Sequence, residues 1–228
     1  MAKLKVKGSA ETIEVKNVFC IGKNYADHIS EVKIEGIDNS IPKEPVVFLK
    51  PSTAIEAINN TVSIPKIDSK PISQNLQNEV ELVIVIGKDG DEIPEDKALE
   101  HVYGYAVGID FTLRDLQTEM KKQGKPWAVA KGFRTSSPIG GVVPARNIGN
   151  AQALDIRLSI NGELKQSGNT SQMLFSIKFI IRYLSSIFGL RKGDIIFTGT
   201  PAGITQLKAG DKVSAEIQDI GKLEVTIG

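Results

Sequence analysis

The run "NEVELVIVIG", residues 78–87, constrains the fold more than any other part of the chain. Alternate residues of a β-strand point to opposite faces. Val80, Leu82 and Ile84 therefore share one face, while Val83 and Val85 continue the face that begins with Glu79 and Glu81. Both faces are apolar beyond residue 81, which places this strand inside a protein that covers it on both sides. Carboxylates at the mouth of such a strand must be paired or bound to a cation to be tolerated there.

The rest of the chain is long enough to build that cover. It has 228 residues, 41% hydrophobic and 24% charged, the proportions of an ordinary globular protein with a sizeable core. A net charge of +1 offers no field for nucleic acid or an anionic membrane. Cys20 is the one cysteine, so an intrachain disulfide is excluded, and its setting in "NVFCIG" reads as core packing. The opening "MAKLKVKGSA" lacks the apolar stretch of a secretory signal. Lys178 and Arg182 interrupt the most apolar later segment, "FSIKFIIRYLSSIFGL". A cytoplasmic protein is expected.

Strands are expected at 17–22 and 46–50, joined by a polar stretch too long for a tight hairpin. "IPEDKALEHV" reads as a short helix with Pro94 near its start and acidic residues in its first turn. "VYGYAVGID" follows as a strand ending at Asp110, and "TLRDLQTEMKKQG" as a helix with Thr112 as N-cap and Gly124 as its stop. Asn161-Gly162 marks a hairpin between two alternating runs. "SIKFIIRYLSSIFG" has the strongest helical spacing, with Gly189 as its stop. Strands in "DIIFTGT", "DKVSAEIQ" and "KLEVTI" complete the chain. Many strands, few helices and no βαβ alternation predict an α+β fold, with residues 1–228 as one domain that starts with a short segment, 1–16.

Asp110, at the end of an apolar strand, is the candidate to join Glu79 and Glu81. Two unit charges 4 Å apart repel by about 4 kcal/mol at an effective dielectric near 20, and a bound cation reverses that sign. Oxygen ligands without thiolate favour Mg²⁺, Mn²⁺ or Ca²⁺ over Zn²⁺. Spacing alone leaves a solvated acidic face open as the other reading. "DGDEIPEDKALE" has the outline of a calcium loop, but Pro94 stands where the sharp turn needs glycine, so it reads as a turn and a helix start.

The chain has two histidines. His28 and Glu31 share a face if their segment is helical, and the carboxylate would then hold one imidazole tautomer for general-base work. A histidine on a surface loop is the alternative. His101 reads as a structural cap near a helix C-terminus. Arg114, one helical turn past Asp110, could clasp a carboxylate with its planar fork. Trp127 reads as a core anchor rather than a stacking platform. "GTPAG" lacks the Gly-Lys-Ser/Thr that completes a phosphate loop, and reads as a tight turn offering backbone donors.

Taken in order, "NYADHISE", "FLKPSTA", "NEVELVIVIG", "GYAVGIDFTLRDLQ", "AKGF", "INGELKQSGNTSQM" and "GDIIFTGTPAG" resemble the fumarylacetoacetate hydrolase family, from about Asn17 onward. The small acylpyruvase and oxaloacetate decarboxylase branch is the nearest likeness. The resemblance implies a mixed β-sandwich roll, a homodimer, and a Mg²⁺ or Mn²⁺ site built from Glu79, Glu81 and Asp110. It further implies a catalytic pair, His28 and Glu31, on a segment that closes over the site, with Lys131 as the active-site lysine. Arg114, Gln117 and Thr200 fall at substrate-side positions.

The implied activity is hydrolysis of a C–C bond in a small β-diketo acid such as an acylpyruvate. Decarboxylation of oxaloacetate, or isomerisation or tautomerisation of a dienoate diacid, uses the same enolate. A β-rich binding module holding a structural ion is the reading from another class. Asn78 stands where the family often has histidine, Arg134 where aspartate is common, and Thr205 where a second glycine is usual. The polar segment 33–43 is also long for the family.

Overall fold

A computed structural model describes residues 2–36, 38–55 and 60–228. Its centre is a six-stranded sheet in the order Val143–Pro144, Val102–Ile109, Val80–Ile86, Ile195–Phe197, Val18–Gly22, Val46–Lys50. Neighbours run antiparallel except Ile195–Phe197 with Val18–Gly22, which are parallel. A five-stranded sheet is ordered Glu163–Asn169, Asp155–Ile160, Lys212–Ile217, Gly221–Ile227, Thr61–Val62. Several short helices accompany them, which is the α+β class expected from the pattern.

Val80–Ile86 is buried along its whole length, and its two faces serve two separate apolar clusters. Val80, Leu82, Ile84 and Ile86 join a core shared with Leu158, Ala215 and the helix Ile177–Phe188. Val83 and Val85 join a second cluster with Leu4, Val18 and Cys20, beneath the N-terminal hairpin Lys3–Lys5/Thr12–Glu14. The continuous apolar run thus follows from cover on both faces. Where that run ends, at Glu81 and Glu79, the strand enters the site.

Turn chemistry acts where expected. Asn161 and Gly162 both take positive φ, 52° and 85°, and close the hairpin between Asp155–Ile160 and Glu163–Asn169. Ser176 caps the helix Ile177–Phe188 through the Phe179 N–H, and Gly189 at φ 65° ends it.

Three expectations change in detail, and the long link between the strands Val18–Gly22 and Val46–Lys50 is filled in. Thr112 is no N-cap: it pairs with Gln77 in a short strand, and the helix starts only at Arg114. The polar segment after Gly22 contains the helix Ala26–Glu31 before the chain returns as the edge strand Val46–Lys50. The 95–101 segment is a 3₁₀ helix, and His101 meets the Lys88 carbonyl rather than the carbonyls of its own helix. Trp127 is half-buried on a cavity wall rather than in the core, because it packs at a tilt of 57° against Phe48 on the edge strand.

Truncating one of the double-faced strand's core side chains tests this arrangement. Leu82→Ala is expected to lower unfolding free energy by about 2–5 kcal/mol, read from urea denaturation midpoints. Wild-type stability in that variant would contradict full enclosure of the strand.

Candidate active site

Glu79, Glu81 and Asp110 converge because adjacent antiparallel strands bring them together. Gly108 pairs with Glu81 and Ile109 with Val80, and the Asp110 N–H donates to the Glu79 carbonyl at 2.7 Å. One carboxylate oxygen from each of the three lies within 4.8 Å of the others, and all three residues are buried.

Cations neutralise two of the three. Lys131 Nζ donates to Glu79 Oε2 at 2.6 Å and to Asp110 Oδ2 at 2.7 Å. Lys50 Nζ, with a fully buried side chain, lies 2.6 Å from Asp110 Oδ1 and 3.2 Å from Ser136 Oγ. Arg114 pairs with Glu79 Oε1 through one guanidinium nitrogen and donates through Nε to Gln77 Oε1 at 2.7 Å. Burial would push the Glu79 carboxyl up, but Lys131, Arg114 and His28 outweigh it and hold the group well below the usual carboxylate range. Lys131 is likewise held up: burial favours its neutral form, and Asp110 with Glu79 overcome this.

Glu81 is different. Its Oε2 accepts the Gly199 N–H at 2.7 Å. Burial and the charges of Asp110 and Glu79 push its carboxyl well above its ordinary value. A cation beside Glu81 would relieve this imbalance. Oxygen donors throughout, and no imidazole or thiolate among them, fit a hard divalent ion such as Mg²⁺ or Mn²⁺. Lys50, Lys131 and Arg114 pair with Glu79 and Asp110 alone, so Glu81 has no ion-pair partner among the described residues.

The helix Ala26–Glu31 places His28 over this cluster. Its Nδ1 lies 3.4 Å from Glu31 Oε2, and its Nε2 lies 4.0 Å from Glu79 Oε1. The i, i+3 spacing puts both side chains on one helix face, as the sequence suggested. Glu31 accepts the Gly203 N–H at 3.1 Å on each oxygen. Burial pushes the Glu31 carboxyl up, yet the bonds from His28 and Gly203 leave it below its usual value.

The turn 198–203 thus fixes two carboxylates. Gly199 and Gly203 have φ of 98° and 106°, and a side chain at either would collide with Asn24 or with the Lys165 carbonyl. This is the backbone-donor role that "GTPAG" suggested. Thr200 is buried on the cavity wall, where its hydroxyl accepts from Gln166 Nε2 at 2.8 Å. The Gln166 amide oxygen in turn accepts from Asn78 Nδ2 and the Val80 N–H. Asn78 Oδ1 accepts the Thr205 N–H at 3.1 Å, so two positions that depart from the family pattern are in contact. Arg134, the third, is exposed.

The structure therefore brings Glu79, Glu81, Asp110, His28, Glu31, Lys131, Arg114, Gln117 and Thr200 around one cavity or directly against its lining. That cavity measures about 400 Å³. The sequence reading missed Lys50 and Gln166. Lys50 left one signal, a charge closing the otherwise apolar run "VVFLK". Gln166 left none, because a glutamine in an alternating hairpin strand looks solvent-facing.

Removing Lys50 tests the charge balance. Breaking a buried pair costs about 3–5 kcal/mol, so Lys50→Met is expected to lower the melting temperature of metal-free protein. Saturating Mn²⁺ should then raise it by more than in the wild type, since the ion replaces a missing positive charge. An equal or smaller Mn²⁺-induced rise would exclude Lys50 from that balance.

The family profile described as "Fumarylacetoacetate (FAA) hydrolase C-terminal" matches residues 17–228. The chain is 44% identical over 205 residues to the mouse protein "Oxaloacetate tautomerase FAHD1, mitochondrial", covering 90% of this chain and 88% of that one. The Arabidopsis thaliana protein of the same name is 39% identical over 210 residues, covering 92% and 90%. Among solved structures, fumarylpyruvate hydrolase from Pseudomonas aeruginosa in complex with Mn²⁺ and pyruvate superposes with a TM-score of 0.87. It is 37% identical, with 99% of this chain and 95% of that chain covered.

Proposed function

Because this chain belongs to the fumarylacetoacetate hydrolase family, we propose that it is a divalent-metal-dependent enzyme acting on a small β-keto acid. Hydrolysis of the C3–C4 bond of an acylpyruvate is the reading put forward. The observation that carries it is the undercompensated Glu81 beside Glu79 and Asp110, with the His28–Glu31 pair poised over the same cluster. A purely structural ion would need no such pair.

Glu79, Glu81 and Asp110 are proposed to hold Mg²⁺ or Mn²⁺. When bound, that ion supplies Lewis-acid polarisation of the 2-oxo group and compensates the negative charge of the enolate. Arg114 and Gln117, on one face of the helix Arg114–Lys122, orient the substrate carboxylate. His28, held in one tautomer by Glu31, takes a proton from water. The water oxygen adds to the C4 carbonyl, where Lys131 steadies the resulting oxyanion. The C3–C4 bond then breaks, its electron pair passes into the enolate of pyruvate, and a proton delivered to C3 completes the reaction. Thr200, fixed by Gln166, closes the opposite wall.

Keto–enol tautomerisation of oxaloacetate is the second reading, favoured by the identity to the mouse and Arabidopsis tautomerases. It needs the same enolate and a proton moved at C3, without addition of water. Decarboxylation of oxaloacetate reaches that enolate by losing CO₂. Assays of wild type, His28→Ala and Asp110→Asn with acetylpyruvate and oxaloacetate, after EDTA and then with saturating Mg²⁺ or Mn²⁺, separate these readings. Chelation should abolish activity, either ion should restore it, and Asp110→Asn should lose both reactions. His28→Ala should lose about 10²–10⁴-fold in acylpyruvate kcat/KM. Oxaloacetate decarboxylation should fall less, and equal losses would refute water activation as the specific role of His28.

A homodimer in the cytoplasm completes the proposal. The dimer rests on family resemblance, and the location on the single cysteine, which fits a reducing compartment. Light scattering at micromolar concentration should give twice 24.7 kDa, and a monomer mass would remove the dimer.

A further inference from the structure

The cavity extends beyond the carboxylate cluster along the helix Arg114–Lys122. Arg114, Gln117 and Lys121 all line it, at the i, i+3, i+7 spacing of a single helix face. Arg114 is anchored on Glu79 at the inner end. Lys121 lies seven residues on, about 10 Å along the axis. Helical side chains lean toward the N-terminus, so the long Lys121 stem is directed back toward the inner end of the cavity.

Lys121 is otherwise unexplained. It is half-buried, with its ammonium 5.0 Å from the centre of the Trp127 ring, and has no carboxylate partner among the described residues. Burial pushes its pKa down to about 8, Arg114 and Lys131 push the same way, Glu79 opposes them, and Lys23 adds a smaller repulsion. A desolvated cation on a cavity wall, repelled by its neighbours, is an anion site awaiting its charge. Neither nearby lysine matches it. Lys23 already donates to the Asp38 carbonyl at 2.9 Å, and Lys125 is exposed.

We propose that Lys121 binds the distal carboxylate of the substrate, which makes the site selective for 2-oxo diacids over 2-oxo monoacids. The inference rests on the reading above that the 2-oxo acid end binds at the carboxylate cluster, and it adds the second charge and the residue that reads it. Gln117, neutral and between the two cations, leaves room for the uncharged middle of such a ligand. The Lys121 ammonium lies over the Trp127 ring, and both residues form the cavity wall.

Calorimetry on Mn²⁺-loaded protein tests this with two unreactive probes of equal length, 2-oxoglutarate and 2-oxopentanoate. Hydrogen bonds to charged groups are worth about 1.5–3 kcal/mol, so the wild type should bind the diacid about ten- to hundredfold more tightly. Lys121→Met should lose that preference by weakening the diacid alone, and Lys121→Arg should keep most of it. Equal affinities of the two probes in the wild type, or a parallel weakening of both in Lys121→Met, would overturn the role of Lys121 and leave the 2-oxo acid reading standing. Failure of both probes to bind the Mn²⁺-loaded wild type would overturn that reading, and this role with it.

Discussion

Asp110 is gripped by two lysines, Lys50 at 2.6 Å and Lys131 at 2.7 Å, and Lys131 reaches across to Glu79 at 2.6 Å. This buried ion cluster is what the surrounding fold serves. Desolvating each of these charges costs several kcal/mol, so none is tolerable without its partners at hydrogen-bonding distance. The partners come from distant parts of the chain: Lys50 from the edge strand, Lys131 from the short helix Ala128–Lys131, and Arg114 from the start of its own helix. All of those elements must dock before any carboxylate is neutralised. Glu81 is the exception built into the cluster, and its deficit of positive charge is the physical basis for the proposed metal.

Above the cluster, one glycine-bearing turn links the carboxylates to the His28–Glu31 pair. The Gly199 N–H holds Glu81, and the Gly203 N–H holds Glu31, four residues apart on the same backbone. The helix Ala26–Glu31 is thereby tied to the sheet that carries the carboxylates. Gln166 supports the turn from beneath, bonded to Thr200, to the Pro201 carbonyl and to Asn78. Since Asn78 also receives the Thr205 N–H, the departures from the family pattern at 78 and 205 form one local solution for holding the turn. They sit beside the carboxylate cluster, not within it.

Much of this was legible in the residues. The unbroken apolar run 82–86 foretold a strand covered on both faces, because an exposed face would alternate with polar residues. Its opening glutamates foretold a charge problem at the strand's mouth. Asn161-Gly162 foretold a hairpin and Gly189 the end of a helix, since each carries a local backbone preference that acts within a few residues. The His28–Glu31 pair was legible for the same reason: three residues on a helix bring two side chains to one face. Thr112 misled, because pairing with Gln77 in a strand outweighed its intrinsic preference for a cap.

What the sequence alone determined was therefore local: periods, turns, caps, and the presence of carboxylates where a core strand begins. Tertiary structure decided which charges meet. Lys50 and Lys131 are 81 residues apart in number, yet both reach Asp110, and Gln166 joins Asn78 across 88 positions. It also moved Trp127 from an expected core position to the wall of the cavity, against Lys121. No spacing rule encodes such contacts, because the register of distant strands is set by the whole core. Only when that core closes do the desolvation costs of the individual charges select the partners that satisfy them.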